Sequence, residues 1–346
     1  MSEEVLVTGG TGFVAGWCIV ELLRRGYRVR TTLRDAAKES RVRAAVARQV
    51  DAGDRLRFAI ADLTNDQGWD AAAAGCTYVL HVASPMSDPA SKGANALIAP
   101  AREGSVRVLR AATHAGAKRV VMTSSCAAAN RGLQSGDSEN DETVWTSLDD
   151  PNLNAYRRSK VLAERAAWDY VGKQADGIEL VTVLPSAIFG PVLAHDNLGS
   201  VQLIERQLQG RMPGIPRVGF CVVDVRDLAA AHIDAMTAAD AAGQRFIAAG
   251  EFVWMEDIAH MLRARLGERA AKVPTRRLPN MLVKLLARFI PAMQPLVPML
   301  GRRHIYRSDK AKRVLGFAPR PVERTLIECA ESLLGGESTT ARSQAS

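Results

Sequence analysis

Two side chains one helical turn apart are placed for proton chemistry. Tyr156 and Lys160 form Y-x-x-x-K, and on a helix that spacing puts both on one face. A cation beside a phenol favours the phenolate, which makes such a tyrosine a usable general acid or base, a role worth about 10²–10⁴ in rate. The spacing alone is common by chance, and its plain alternative is a core tyrosine beside a solvated lysine. Position raises it: the pair opens a helix that follows an apolar run ending in Thr123-Ser124-Ser125. The Ser125 hydroxyl could hold a carbonyl oxygen on which charge develops, so the reaction class implied is hydride transfer at a carbonyl or alcohol carbon.

A second constellation says where that hydride would come from. Val5 to Gly16 reads VLVTGGTGFVAG, an apolar β-branched strand, a glycine turn and the start of a helix. Gly9 permits the turn, Gly12 keeps no side chain between backbone and ligand, and Ala15-Gly16 lets the helix lie close to the strand. The leading N–H groups and positive dipole end of that helix make a pyrophosphate site. A second strand follows at Tyr27 to Leu33. In doubly wound folds an acid at its end holds the ribose hydroxyls, but here Leu33 stands there, followed by Arg34 and, further on, Arg41. Two arginines suit a 2′-phosphate, so the expected cofactor is NADP(H).

These groups need a scaffold, and the first half of the chain supplies one. Arg55 to Leu63, Tyr78 to Ser84 and Arg119 to Ser125 read as buried strands, with a helix from Ala94 to Ala115 closed by Gly116. Such alternation requires a parallel sheet covered on both faces, an α/β doubly wound fold of the Rossmann type that binds ligands at the strands' carboxyl ends. Gly132 to Asn152 is polar and acidic, a loop over that end. Ala155 to Lys173 is helical and Ile178 to Ile188 a further strand. From about residue 185 the alternation decays into helices at 199–209, 225–239, 255–266 and 321–334, with a strand at 244–248. The expected division is a dinucleotide-binding domain over 1–184, with 220–250 returning to it, a smaller, mainly helical C-terminal substrate region over 185–219 and 251–336, and a disordered polar tail over 337–346.

Composition narrows the partners. A chain of 346 residues, 47% hydrophobic and 24% charged, can bury a large core. The net charge of +8 comes without a basic patch interleaved with aromatics, which argues against nucleic acid and for anionic small ligands. Five scattered cysteines and six histidines show no ligand spacing, so no metal is expected and the compartment is reducing. The first strand at Val5 leaves no room for a signal or transit peptide, which gives the cytoplasm as the expected location. Leu278 to Gly301 is long and greasy, but Lys284, Arg288 and three prolines argue against a membrane span. Its expected role is a cover over a substrate pocket, ahead of core packing and of a membrane-surface contact.

Taken together, TGGTGFVAG, Asp62-Leu63, HVAS at 81–84, TSS at 123–125, YRRSK at 156–160 and LPSAIFGP at 184–191 resemble the extended short-chain dehydrogenases/reductases. VRTTLRD at 29–35, HVASPM at 81–86, DETVW at 141–145 and VVDVRDLAAAHI at 222–233 are similar to the branch of dihydroflavonol reductases, cinnamoyl-CoA reductases and fungal aldehyde/ketone reductases. The resemblance implies Ser125, Tyr156 and Lys160 as catalytic residues. It implies cofactor contacts at Thr8, Gly9, Gly12, Phe13 and Val14 in the turn, at Asp62 and Leu63 beside the adenine, and at Val82, Ala83, Ser84 and Thr123 toward ribose and nicotinamide. Pro185, Ala187 and Ile188 would meet the carboxamide, and Asn130 the substrate. There are two departures: Ala15 stands for a usual glycine, and Cys221 for a glutamine that faces a polyhydroxylated substrate in the flavonoid reductases. With Met86, Ile188 and Phe189, Cys221 is expected to line a pocket for an apolar or aromatic carbonyl, reduced by a monomer or homodimer. The competing readings are a nucleotide-sugar epimerase or dehydratase, a 3β-hydroxysteroid dehydrogenase, or a catalytically inert NADP(H) sensor.

Overall fold

The computed structural model describes residues 3–85, 95–133, 136–150, 153–174, 177–194 and 198–343, with backbone only at 95–96, 291–292 and 336–343. The strands of the first half are β1 (Glu4–Val7), β2 (Arg28–Leu33), β3 (Leu56–Ile60), β4 (Tyr78–His81), β5 (Arg119–Thr123) and β6 (Ser138–Asn140). Those of the second half are β7 (Glu179–Pro185), β8 (Ala187–Phe189), β9 (Ile215–Pro216), β10 (Gly219–Asp224), β11 (Arg245–Ala248), β12 (Phe252–Trp254), β13 (Arg277–Leu278) and β14 (His304–Tyr306). Between them run helices α1 (Phe13–Arg24), α2 (Glu39–Ala47), α3 (Trp69–Ala73), α4 (Asn95–His114), α5 (Ala155–Val171) and α6 (Gln202–Leu208). The remaining helices are α7 (Val225–Thr237), α8 (Met255–Leu266), α9 (Asn280–Leu286), α10 (Asp309–Leu315) and α11 (Val322–Ser343).

Seven parallel strands form the central sheet in the order β11-β7-β5-β4-β1-β2-β3. Chain order runs outward in both directions from the β1–β4 boundary, which makes that boundary the crevice where a doubly wound sheet takes its ligand. The apolar strands are buried on both faces. One face packs under α1, α2, α7 and α10, with Trp17, Ile19, Leu22, Val42, Leu228 and Phe246 in a shared core. The other packs under α3, α4 and α5 through Trp69, Ala101, Val108, Leu109, Ala163 and Ala167.

A second core lies beyond β7, where Phe189, Ile204, Ile258, Leu262, Val283 and Leu326 collect residues of β8, α6, α8, α9 and α11. It holds a small sheet, β12-β10-β8. Of the segment 220–250, α7 and β11 return to the main sheet, whereas β10 pairs with β8 and β12. The loop after residue 132 also contains a strand that its polar composition hides: β6 pairs in parallel with β14, Ser138 opposite His304.

Candidate active site

The glycine turn at the end of β1 is a cradle built by exclusion of side chains. Gly9 takes φ +75, and a Cβ on it would sit 3.0 Å from the Ala83 Cβ at the end of β4. At Gly10, which the spacing argument passed over, a Cβ would lie 2.5 Å from Thr31 Oγ1 on β2, so this glycine is the most strictly required of the group. Gly12 begins α1 without any side-chain cap. The first N–H groups of that helix are therefore left for a ligand rather than for the protein. Arg41 from α2 lines the same hollow as Gly10, Thr11, Gly12 and Phe13. At the end of β2, Leu33 is 3% exposed and turned into the core, and Arg34 is the first exposed side chain. Asp62 accepts from the N–H and hydroxyl of Thr64, both at 2.8 Å. The backbone bond from Thr64, with the Arg34 charge nearby, holds that carboxyl below the usual range.

Two threonine–histidine pairs stiffen the crevice. Thr8 Oγ1 accepts the Val82 and Ala83 N–H groups at 3.0 and 2.9 Å, so its own proton goes to His81 Nδ1 at 3.0 Å. Ser105 donates to the Ala101 carbonyl, which leaves His81 Nε2–H to donate to Ser105 Oγ at 3.3 Å and fixes the neutral tautomer. Burial, reinforced by the Lys160 cation, holds His81 down at about 3. At the end of β5, Thr123 Oγ1 meets His232 Nε2 at 2.7 Å, while His232 Nδ1–H donates to the Leu228 carbonyl at 2.8 Å. Burial holds that imidazole at about 4.

The proton-handling groups converge on the same end of the sheet. Asn154 caps α5 by accepting the Arg157 N–H at 2.9 Å, which sets where Tyr156 and Lys160 emerge. Tyr156 is 47% exposed; Lys160 is 8% exposed and lies near enough to His81 for its charge to act on that imidazole. Ser125 Oγ accepts the Ala127 N–H at 3.1 Å, opening a 3₁₀ turn over Cys126–Ala128.

Beneath them is a buried ion pair whose two residues stand 81 apart in the sequence and belong to no motif. Glu164, fully buried on α5, accepts from Ser124 Oγ at 2.6 Å, Thr182 Oγ1 at 2.8 Å and the Arg245 guanidinium at 2.8 and 3.2 Å. Arg245 stacks 3.7 Å over the Trp145 ring and donates to the Glu142 and Val144 carbonyls. The signal was present in the sequence, since 156, 160 and 164 continue a four-residue spacing along one helix face.

The family model for the NAD dependent epimerase/dehydratase family matches residues 5–249. The chain belongs to that family. Within it, the chain is 35% identical over 269 residues to tetraketide alpha-pyrone reductase 1 of Arabidopsis thaliana, covering 76% of this chain and 81% of that one. It is 36% identical over 264 residues to cinnamoyl-CoA reductase 1 of Oryza sativa subsp. japonica, covering 75% of each. An anthocyanidin reductase of Vitis vinifera is 34% identical over 288 residues, covering 79% of this chain and 83% of the other. In fold it resembles yeast methylglyoxal/isovaleraldehyde reductase Gre2 complexed with NADPH, with TM-score 0.81 and 24% identity over 97% of this chain and 99% of that one. This family member is an oxidoreductase with the extended short-chain dehydrogenase/reductase architecture.

Other expected site residues of this reductase fold land less simply. Val82 and Ala83 are half-buried beside the turn, with half-buried Ser84 next in sequence, half-buried Leu63 lies against Gly104 of α4, and Pro185 ends β7 while Ala187 and Ile188 begin β8. Met86 lies outside the described residues. Asn130 is buried with its side chain committed: Nδ2 donates to the Tyr306 hydroxyl at 2.8 Å and Oδ1 accepts the Gly132 N–H at 2.9 Å. Phe189 is fully buried in the second core, stacked 6.1 Å from Phe220. Cys221 is buried beside Cys126, its thiol 3.8 Å from the His304 carbonyl. The structure therefore does not bring Asn130, Phe189 and Cys221 to an open surface beside Tyr156. A cleft of about 580 Å³ at the opposite, amino-terminal end of the strands, between Tyr78, Lys118, Arg119 and Glu179, is remote from this chemistry. Among the described residues no group of three His, Cys, Asp or Glu could hold a metal ion, and no helix is long and apolar enough to cross a membrane.

Proposed function

We propose that this oxidoreductase reduces an apolar or aromatic aldehyde or ketone to its alcohol, with NADPH as cofactor. The observation that carries the reading is the 2.6 Å bond from Ser124 Oγ to Glu164, which ties the Y-x-x-x-K helix to the end of β5, next to β4 and the crevice with the glycine turn. The residues present fit the cofactor: a side-chain-free turn, an uncapped helix start and no acid at the end of β2.

The bound nicotinamide supplies the hydride. Gly9 and Gly12, whose own N–H groups go to Thr32 Oγ1 and the Gly9 carbonyl, leave room for the pyrophosphate, the Phe13 and Val14 N–H groups at the start of α1 hold it, and Arg34 and Arg41 meet the 2′-phosphate. Asp62 and Leu63 flank the adenine. Val82, Ala83, Ser84 and Thr123 border the ribose and nicotinamide, and Pro185, Ala187 and Ile188 border the carboxamide. The Tyr156 hydroxyl gives its proton to the substrate oxygen, and the Lys160 ammonium favours the resulting phenolate and holds the ribose. Ser125 Oγ already accepts the Ala127 N–H, so its own proton can be donated to the substrate oxygen.

An apolar substrate suits the neighbourhood because its polar side chains are spoken for. Thr8 is bonded to His81, Thr123 to His232, and Asn130 to Tyr306 and Gly132. A buried sugar hydroxyl left without a partner costs about 1–3 kcal/mol, and several together would exclude a hexose. The test is cofactor accounting with NADPH and a panel of aldehydes and ketones. One NADPH should disappear per alcohol formed, from protein that purifies with little cofactor. Protein carrying stoichiometric NAD⁺ that isomerises or dehydrates a sugar nucleotide with no net absorbance change would overturn the reading.

A further inference from the structure

The stretch from Leu278 to Gly301 turns part of its apolar surface outward. Val283 and Ala287 anchor it in the interior, whereas Met281 is 84% exposed, Phe289 77% and Leu285 52%, with Leu282 and Ile290 also in solvent. Lys284 and Arg288 are exposed among these apolar side chains, and neither has an ion-pair partner among the described residues. The surrounding sequence is one-signed: between Arg269 and Arg303 there are eight Lys and Arg and no Asp or Glu. Removing those eight from the chain's 45 Lys and Arg leaves 37, which equals its 37 Asp and Glu. The whole net charge of +8 thus resides in the segment that also exposes the large apolar side chains.

We infer that residues 281–290 form a peripheral docking surface for an anionic lipid bilayer. A bilayer offers both complements at once, a diffuse negative headgroup layer for the cations and an acyl boundary for Met281, Leu285 and Phe289. The other occupants match one half only. A second copy docked by two-fold symmetry would set cations against cations. Nucleic acid would leave the aliphatic side chains in water, since only Phe289 could stack on a base. The contact is shallow, because α9 spans Asn280–Leu286 and Pro291–Met299 continues as a 3₁₀ turn, so no span is involved. The inference goes beyond the reductase reading and does not rest on it.

Sedimentation of the purified full chain with vesicles tests it. The protein should pellet with phosphatidylcholine vesicles containing phosphatidylserine, not with phosphatidylcholine alone, and should be released as salt rises from about 50 to about 500 mM. Lys284→Glu combined with Arg288→Glu should lower the partition coefficient at least about twentyfold. Phe289→Ser and Met281→Ser should each lower it about tenfold. These side chains are exposed, so melting by circular dichroism should stay at the wild-type midpoint and separate lost docking from lost folding. Equal pelleting with neutral vesicles, or none with either, would overturn the proposal. So would a dimer in lipid-free solution that Phe289→Ser dissolves.

Discussion

The cofactor side and the substrate side of the crevice are finished to different degrees. On the cofactor side the backbone is locked: Gly9 abuts Ala83, Gly10 abuts Thr31, and Thr8 spends its hydroxyl on two N–H groups and His81. On the substrate side Tyr156 stands 47% exposed, while Phe189 and Cys221 turn into cores of their own and Asn130 is bonded to Tyr306 and Gly132. The contrast teaches that a phosphate cradle is written within a few consecutive residues, because backbone N–H groups do the binding. Substrate walls depend on how distant strands pair, and so vary on a constant cradle.

The sharpest way to separate the two sides is Tyr156→Phe. It should lower kcat by about 10²–10⁴ and leave the NADPH dissociation constant within about twofold, since the ring still packs and only the substrate loses its proton donor. Retention of more than about a tenth of wild-type kcat would show that the proton comes from elsewhere. Next is Glu164→Ala, which strands the Arg245 guanidinium in the interior and should cost about 3–5 kcal/mol in urea-unfolding stability. A change under about 1 kcal/mol would mean that Ser124 and Thr182 hold this region without the ion pair. Smaller again, Arg34→Ala should cut the preference for NADPH over NADH, read as a ratio of kcat/KM values, by about ten- to a hundredfold. An unchanged ratio would move 2′-phosphate recognition away from the end of β2.

The smallest effect per unit of pH tests the stiffness of the cradle. His81 and His232 titrate at about 3 and about 4 in the folded chain, below the ordinary 6.5. As pH falls through 6.5 the unfolded chain takes up these protons and the native chain does not. Stability should therefore be fully present above about 6.5 and drain away toward about 4, at ~1.4 kcal/mol per pH unit for each histidine. In His232→Asn the slope should fall by the share of one histidine. A flat profile between pH 4 and 6.5 would mean that neither imidazole is held neutral.

Much of the cradle was legible because it is local. The strand–turn–helix from Val5, the bare end of β2 at Leu33 and the Tyr156–Lys160 face follow from spacing, and α8 occupies the predicted 255–266. Gly10 was passed over because its need for hydrogen comes from Thr31 on another strand. Glu164 and Arg245 looked like ordinary helix and strand residues until β11 paired with β7. Ile188 and Phe189 were both expected beside the ligand, but adjacent strand residues face opposite ways. Ile188 packs on the sheet core and Phe189 on the second core. The apolar Leu278 to Gly301 stretch is ambiguous for a related reason: greasiness does not say which side of a short helix faces inward.

The pairing of Glu164 with Arg245 also bears on how the chain is made. A ribosome releases the carboxylate 81 residues before the guanidinium that balances it, and the edge strand β11 arrives on the same late segment. Until then the nascent sheet must wait open around Glu164. A fragment severed at residue 184 would carry the whole glycine turn, Ser125, Tyr156 and Lys160, and still lack the counter-charge beneath them. Proximity in sequence among the glycine turn, Ser125, Tyr156 and Lys160 therefore does not make the first 184 residues a module that can be cut out.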